Sequence, residues 1–151
     1  MVIGIDPGFS GAICFYDKKY FEVYDLPLKM FMGRQQIDGQ AFTKLINDRP
    51  AISFAIIEDV HAMPNQGIVS TSRFLYNAGI LMGVLNALDI KVLKVKPSVW
   101  KSALNLNSDK KKSLALAKKS FPGYEESFKR AKDDGRAEAA LLAKFAFDTL
   151  T

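Results

Sequence analysis

The chain opens on a β-branched run, Val2 to Ile5, with no polar position until Asp6-Pro7-Gly8. A short apolar run closed by turn residues predicts a buried strand followed by a turn. Gly11 to Tyr16 and Tyr20 to Tyr24 predict two more strands, with Asp17-Lys18-Lys19 as a hairpin connection. Residues 38 to 48 predict a helix that carries Phe42, Leu45 and Ile46 on one face. Ala51 to Ile57 reads as a buried strand ending at Glu58-Asp59, and residues 61 to 69 read as a loop. Ser70 to Leu88 predicts a long helix, with small residues at Ala78, Gly79 and Gly83 that suit close packing on a sheet or on another helix. Lys91 to Val95 is a fifth strand, and Pro97 to Ala103 a short helix. Ser108 is the expected N-cap of a helix reaching about Ser120, before the breaker Phe121-Pro122-Gly123. The last helix runs from about Asp134 to Leu150 and is apolar at Ala137, Leu141, Leu142, Phe145 and Phe147.

The order is β-β-β-α-β-α-β-α-α-α. An opening antiparallel meander followed by αβαβα is not a doubly wound fold; it predicts an α/β protein with a mixed five-stranded sheet flanked by helices. With 151 residues and no repeat, low-complexity stretch or linker, residues 1–151 read as a single domain. A hydrophobic share of 48% excludes the disordered class. No apolar run reaches the roughly 18 residues of a membrane span, so no membrane association is expected. The start MVIGID has neither the length of a signal-peptide core nor a basic n-region. One cysteine, Cys14, and one histidine, His61, exclude an intrachain disulfide, a cysteine-based zinc site and a multi-histidine site. Any metal must rest mainly on carboxylates, and the expected compartment is reducing and intracellular.

Charge changes the picture because it is unevenly spread. The chain is +5 overall, but residues 91 to 132 hold 12 basic and 3 acidic residues, a net +9. The other 109 residues hold 9 basic and 13 acidic, a net −4. A basic block beside an acidic body is either a polyanion-binding face or a solvated lysine surface.

The acids decide between these. Asp6 ends the first strand, Glu58 ends the fourth, and Asp134 and Glu138 stand four apart at the start of the last helix, on one face. Each has a plain explanation by itself: a turn before Pro-Gly, a helix cap, an exposed helical residue. Glu58 resists it most, since it follows Phe54-Ala-Ile-Ile57 with no solvated stretch between. Converging carboxylates raise one another's pKa unless a cation lies between them, and oxygen ligands suit Mg²⁺ or Mn²⁺. A pair of such ions serves phosphodiester cleavage.

Ile5-Asp6-Pro7-Gly8, Ile57-Glu58-Asp59-Val60 with Ala62-Met63-Pro64-Asn65-Gln66-Gly67, and Asp134-Gly-Arg-Ala-Glu138-Ala together resemble the RuvC family of Holliday junction resolvases. Val95-Lys-Pro-Ser-Val-Trp100-Lys101, followed by Asp109-Lys110 and Ala117 to Pro122, resembles its phage-type branch. The resemblance spans residues 2 to about 148. It implies a ribonuclease H-like fold, a homodimer, and Mg²⁺-dependent, symmetric nicking of four-way branched DNA that leaves 5′-phosphate ends. Two ions per site are implied, with Mn²⁺ as a substitute. The implied location is the cytoplasm of a bacterium or phage-infected cell.

Carried over by position, Asp6, Glu58 and Glu138 match three metal-binding acids of the family. Better-known bacterial members place the fourth three residues before the last acid, where this chain has Gly135. Asp134 or Asp133 takes that role here. Lys101 and Lys110 fall where the family has lysines near the scissile phosphate. Lys111, Lys112, Lys118 and Lys119 either bind DNA backbone or bind nothing, and Arg136 either reaches a phosphate or balances local acid charge. His61 stands where some members have a base-stacking aromatic; it either stacks or has no role. Asn65 and Gln66 either read base edges or shape the loop. Trp100 is expected to be buried, and Phe74 and Tyr76 to make core or dimer contacts.

Rival readings are a junction-binding protein that does not cut, an actin-like ATPase, and a nuclease for RNA–DNA hybrids or other branched DNA. Clustered acids near DNA argue against the first, and 151 residues are too few for the paired domains of the second.

Overall fold

The computed structural model describes residues 1–59 and 67–151. His61, Asn65, Gln66 and most of the predicted 61–69 loop lie outside the described residues. In chain order come β1 (Val2–Asp6), β2 (Ala12–Asp17), β3 (Tyr20–Asp25), β4 (Leu28–Phe31), β5 (Arg34–Ile37), α1 (Gly39–Asn47), β6 (Phe54–Glu58), α2 (Ile68–Ala87), β7 (Val92–Val95), α3 (Pro97–Ala103), α4 (Lys110–Ser120), two 3₁₀ turns (Glu125–Phe128 and Ala131–Asp133) and α5 (Asp134–Leu150).

Five strands form one mixed sheet in the order β3-β2-β1-β6-β7. β1 lies at its centre, antiparallel to β2 and parallel to β6, while β7 runs parallel to β6. The register sets Asp6 opposite Ala12, Ala12 opposite Asp25, and Glu58 opposite Val95. β1, β3, β6 and β7 therefore all finish at one edge, where the chain has its acids.

Side-chain alternation sorts the sheet into two faces. Val2, Ala12, Cys14, Phe54 and Ile56 enter the core shared with α5, while Ile3, Ile5, Ile13, Phe15, Ala55 and Ile57 enter the core under α1 and α2. By the same period of two, Asp6 and Glu58 point to the α5 face. The helix lies close because β1 has a glycine beneath it: a Cβ on Gly4 would come within 2.3 Å of the Ala139 carbonyl oxygen. The alanines Ala139 and Ala143 complete that approach, and both are fully buried.

Three local expectations need correction. Residues 28–37 form a separate two-stranded hairpin, β4–β5, that the sequence pattern did not reveal. Its strands are short and half exposed, so no hydrophobic alternation marks them. The cap of α4 is Asp109, whose carboxylate accepts from Lys111 N at 2.9 Å, and not Ser108. The strand expected from Ala51 begins at Phe54, after an exposed Ser53 that donates to the Met1 carbonyl.

Among the described residues α2 alone is long and apolar enough, by length and composition, to cross a membrane. It nevertheless packs as part of this fold: Leu81 and Leu85 are fully buried on the sheet, and the buried Asn77 side chain accepts from Ile37 N at 2.6 Å. Gly79 and Gly83 do not serve that packing. Both are exposed, and a Cβ on either would meet nothing within 4 Å.

Candidate active site

The strand ends bring Asp6 and Glu58 up from the sheet, and the first two turns of α5 bring Asp134 and Glu138 across to them. Asp6 Oδ1 accepts from Gly8 N at 3.1 Å, so the Pro-Gly turn fixes the carboxylate it follows. Glu58 Oε1 accepts from the Trp100 indole at 3.0 Å. Trp100 is 1% exposed on α3 and anchored in the α5-side core, which confirms the expectation of burial and adds a polar duty to it. Glu138 Oε1 accepts from Lys101 Nζ at 2.9 Å and from Ser113 Oγ at 3.3 Å, and Lys110 Nζ donates to Asp134 Oδ2. Two carboxylates thus face two ammonium groups delivered by α3 and by the first turn of α4.

The electrostatics agree with this convergence. Burial, opposed by the Gly8 hydrogen bond and reinforced by Glu138, Glu58 and Asp134, pushes Asp6 up to about 7. Burial also raises Glu58, against the pull of the Trp100 hydrogen bond and Lys101. The hydrogen bond to Asp134 raises Lys110 above the ordinary lysine range. Acids from three separate elements feel one another, which single positions in a sequence cannot reveal.

The two candidates for the fourth acid have different surroundings. Asp133 is 1% exposed and occupied: its carboxylate takes the Arg130 backbone N at 2.7 Å and the Arg130 guanidinium at 2.9 and 2.7 Å. Asp134 faces the cluster. The residue after it lies against the loop that follows Asp6: a Cβ on Gly135 would come within 2.1 Å of the Ser10 carbonyl oxygen. No side chain fits there without displacing the loop that follows Asp6.

The remaining expected residues divide. Arg136 is held by Asp25 in a two-point pair at 2.6 and 2.7 Å, so the structure contains its charge-balancing role. Lys111, Lys112, Lys118 and Lys119 are exposed along α4. Phe74 is half-buried and Tyr76 is exposed, so Tyr76 is no core residue. Trp100, Ser113 and Asp25 were missed as supporting groups; each acts on an acid or base more than 24 positions away, a pairing only the fold creates.

The donor set is all oxygen and suits a hard cation. As they stand, no three of the acid, histidine or cysteine side chains among the described residues are gathered tightly enough to hold an ion. Lys101 and Lys110 supply the compensating positive charge at two of the four carboxylates, and a metal ion entering the cluster would take over that charge balance.

No family model matches the chain. The chain is 32% identical over 100 residues to "Holliday junction resolvase MOC1, chloroplastic" of Chlamydomonas reinhardtii, a match over 65% of this chain and 11% of that relative's length. The chain therefore spans about a tenth of the curated relative it matches. Among solved structures, T. thermophilus RuvC in complex with Holliday junction substrate superposes with a TM-score of 0.64 at 14% identity, covering 99% of this chain and 96% of that one. A second structure of Thermus thermophilus RuvC gives a TM-score of 0.51 at 15% identity, covering 96% and 93%. The sheet order, the flanking helices and this superposition establish that the chain has the ribonuclease H-like α/β fold of RuvC.

Proposed function

We propose that this chain is a structure-selective DNA endonuclease that resolves four-way junctions by paired, symmetric phosphodiester hydrolysis. The observation that carries the reading is the convergence of Asp6, Glu58, Asp134 and Glu138 at one sheet edge, with Lys101 and Lys110 against two of them. The junction resolvase named for the Chlamydomonas relative and the junction bound to the T. thermophilus RuvC supply the substrate class.

In this reading the four carboxylates would hold Mg²⁺, two ions per site, with Mn²⁺ as a substitute. Bound there, the ions would supply charge neutralisation and water activation. Water attacks phosphorus, the P–O3′ bond breaks, and the products are a 5′-phosphate and a 3′-hydroxyl. Trp100 aims Glu58, and the Gly8 backbone holds Asp6. Lys101 and Lys110 leave their carboxylate partners for the scissile phosphate and stabilise the charge that grows there. Lys111, Lys112, Lys118 and Lys119 hold DNA backbone away from the reacting bond. Asp133 serves the turn before α5.

Two symmetric cuts need two sites related by a two-fold axis, hence a homodimer. The outward face of α2 supports this: Leu75 is exposed beside Gly79 and Gly83, whose open surroundings admit a second helix. Sedimentation that finds only monomer, free and on the junction, removes the dimer. The function is tested by Mg²⁺-dependent cleavage of a four-way junction, a Y-fork, an RNA–DNA hybrid and a linear duplex. Paired nicks in the junction are expected; preferential cutting of the hybrid would support the rival nuclease reading instead.

A further inference from the structure

The β4–β5 hairpin ends in a two-residue turn, Met32-Gly33, with φ of 49° and 73°. Positive φ at both central positions defines the turn that matches strand twist, and Asn-Gly is its usual occupant. Methionine is a poor choice for the first position, and Met32 is also 87% exposed, next to a Phe31 that is 53% exposed. Neither turn geometry nor solvation accounts for two large apolar side chains at this tip.

The tip overhangs a groove of about 510 Å³ whose other wall is α2, and Phe31, Met32, Arg34, Arg73 and Tyr76 line it. No acidic side chain lines it among the described residues. The Arg73 guanidinium lies 4.9 Å over the ring of Phe9, in the loop that directly follows Asp6. The groove is thereby joined to the loop that follows the first carboxylate.

We propose that the hairpin tip is a base-stacking wedge: Phe31 and Met32 pack against bases unstacked at the DNA branch point, while Arg34 and Arg73 hold the flanking phosphates. The proposal rests on the junction-cleaving reading above and adds a recognition element to it. Apolar side chains inserted at base steps are a recurrent device for kinked DNA, and base faces accept aromatic rings regardless of sequence. A linear duplex keeps its bases stacked and offers no such faces; a branch point does. A second copy of this chain is the weaker occupant, because a self-contact here would bring Arg34 and Arg73 against the same two cations with no acid to compensate.

The test pairs Phe31→Ser with Met32→Asn in the full chain. Asparagine suits the turn, so the hairpin is kept while the wedge is lost; thermal unfolding and sedimentation verify the fold and the oligomer. Affinity is measured for a four-way junction and a linear duplex in the absence of divalent cation, with 2-aminopurine at the branch-point positions. The proposal expects junction affinity to fall by about 10-fold or more, the branch-point fluorescence change to disappear, and duplex affinity to hold. Unchanged junction affinity and fluorescence in the folded variant overturn it. Loss of the dimer in sedimentation also overturns it and makes the tip a subunit contact. If the unaltered protein shows no preference for the junction and does not cut it, the junction-cleaving reading fails first, and the wedge fails with it.

Discussion

The indole N–H of Trp100, the chain's one tryptophan, donates to Glu58 Oε1 at 3.0 Å across 42 positions of sequence. The ring is locked in the α5-side core, so the carboxylate is aimed by a group that cannot move. Trp100→Phe keeps most of the packing and removes this one donor. A hydrogen bond to a charged group contributes about 1.5–3 kcal/mol. The expected result is a single-turnover cleavage rate reduced by roughly 10- to 100-fold with junction affinity unchanged. Equal loss of rate and affinity would show that Trp100 supports the fold alone.

Lys101 and Lys110 occupy carboxylates that the metal reading needs. Replacing either with methionine removes a competing cation, so Mg²⁺ should bind the DNA-free protein more tightly, as calorimetry can measure. Cleavage at saturating DNA should nevertheless slow, because positive charge at the scissile phosphate acts mainly in the transition state. Lys118→Ala should differ from both: its rate at saturation should hold, while the log–log salt slope of binding drops by roughly 0.9 for one lost phosphate contact. If all three variants behave alike, with unchanged rates, the lysines are only an electrostatic surface.

Asp6 has a pKa of about 7, raised mainly by burial. In the folded, metal-free protein it is protonated below that value, and only the ionised form ligates. Metal affinity should therefore rise with pH until the pH passes about 7, and binding below that point should release a proton. The same shift makes an opposite contribution to metal-free stability. An unfolded Asp ionises near 4, so the folded state loses relative stability as pH rises from about 4 to 7. Asp6→Asn should remove both effects, read by calorimetry in two buffers of different protonation enthalpy and by thermal unfolding in chelator.

Asp133 behaves the other way. Burial alone would raise it, but the Arg130 side-chain and backbone hydrogen bonds outweigh burial and hold it below the usual carboxylate range. Its contribution to stability is present above pH 4 and is lost as pH falls through the lowered folded value. Asp133→Asn should lower the thermal midpoint at neutral pH and flatten the acid limb below pH 4. It should leave metal affinity unchanged, whereas Asp134→Asn should weaken it. The reverse pattern would exchange the roles of the two residues.

Gly135, the residue after Asp134, lies against the loop that follows Asp6. Gly135→Ala puts a methyl group against the Ser10 carbonyl and should cost about 1–3 kcal/mol, the usual range for overpacking, visible in denaturant unfolding. An unaffected midpoint would mean that the loop after Asp6 yields freely.

Much of the sheet was legible because its strands are buried on both faces and read as continuous apolar runs, as in Val2–Ile5 and Phe54–Ile57. The acids were legible because each ends such a run or shares a helix face. The β4–β5 hairpin was not: Arg34-Gln35-Gln36 is polar, and Met32 stands where a turn residue is expected. Whether Asp133 or Asp134 faces the cluster was equally hidden, since the answer depends on Arg130 capping one of them and on Ser10 crowding the residue after the other. Helical spacing showed that Gly79 and Gly83 share a face of α2, but not that the face lies open.

On the proposed function, Glu58 and its three companions form a metal site that cuts branched DNA. Single-turnover cleavage of a four-way junction in Mg²⁺ by Glu58→Gln, alongside its junction affinity, tests this most directly. Removing one carboxylate charge weakens the metal site but eases the approach of DNA. Cleavage should fall to background, with affinity equal to or slightly tighter than that of the unaltered protein. A folded Glu58→Gln protein that cuts the junction at the normal rate would contradict it.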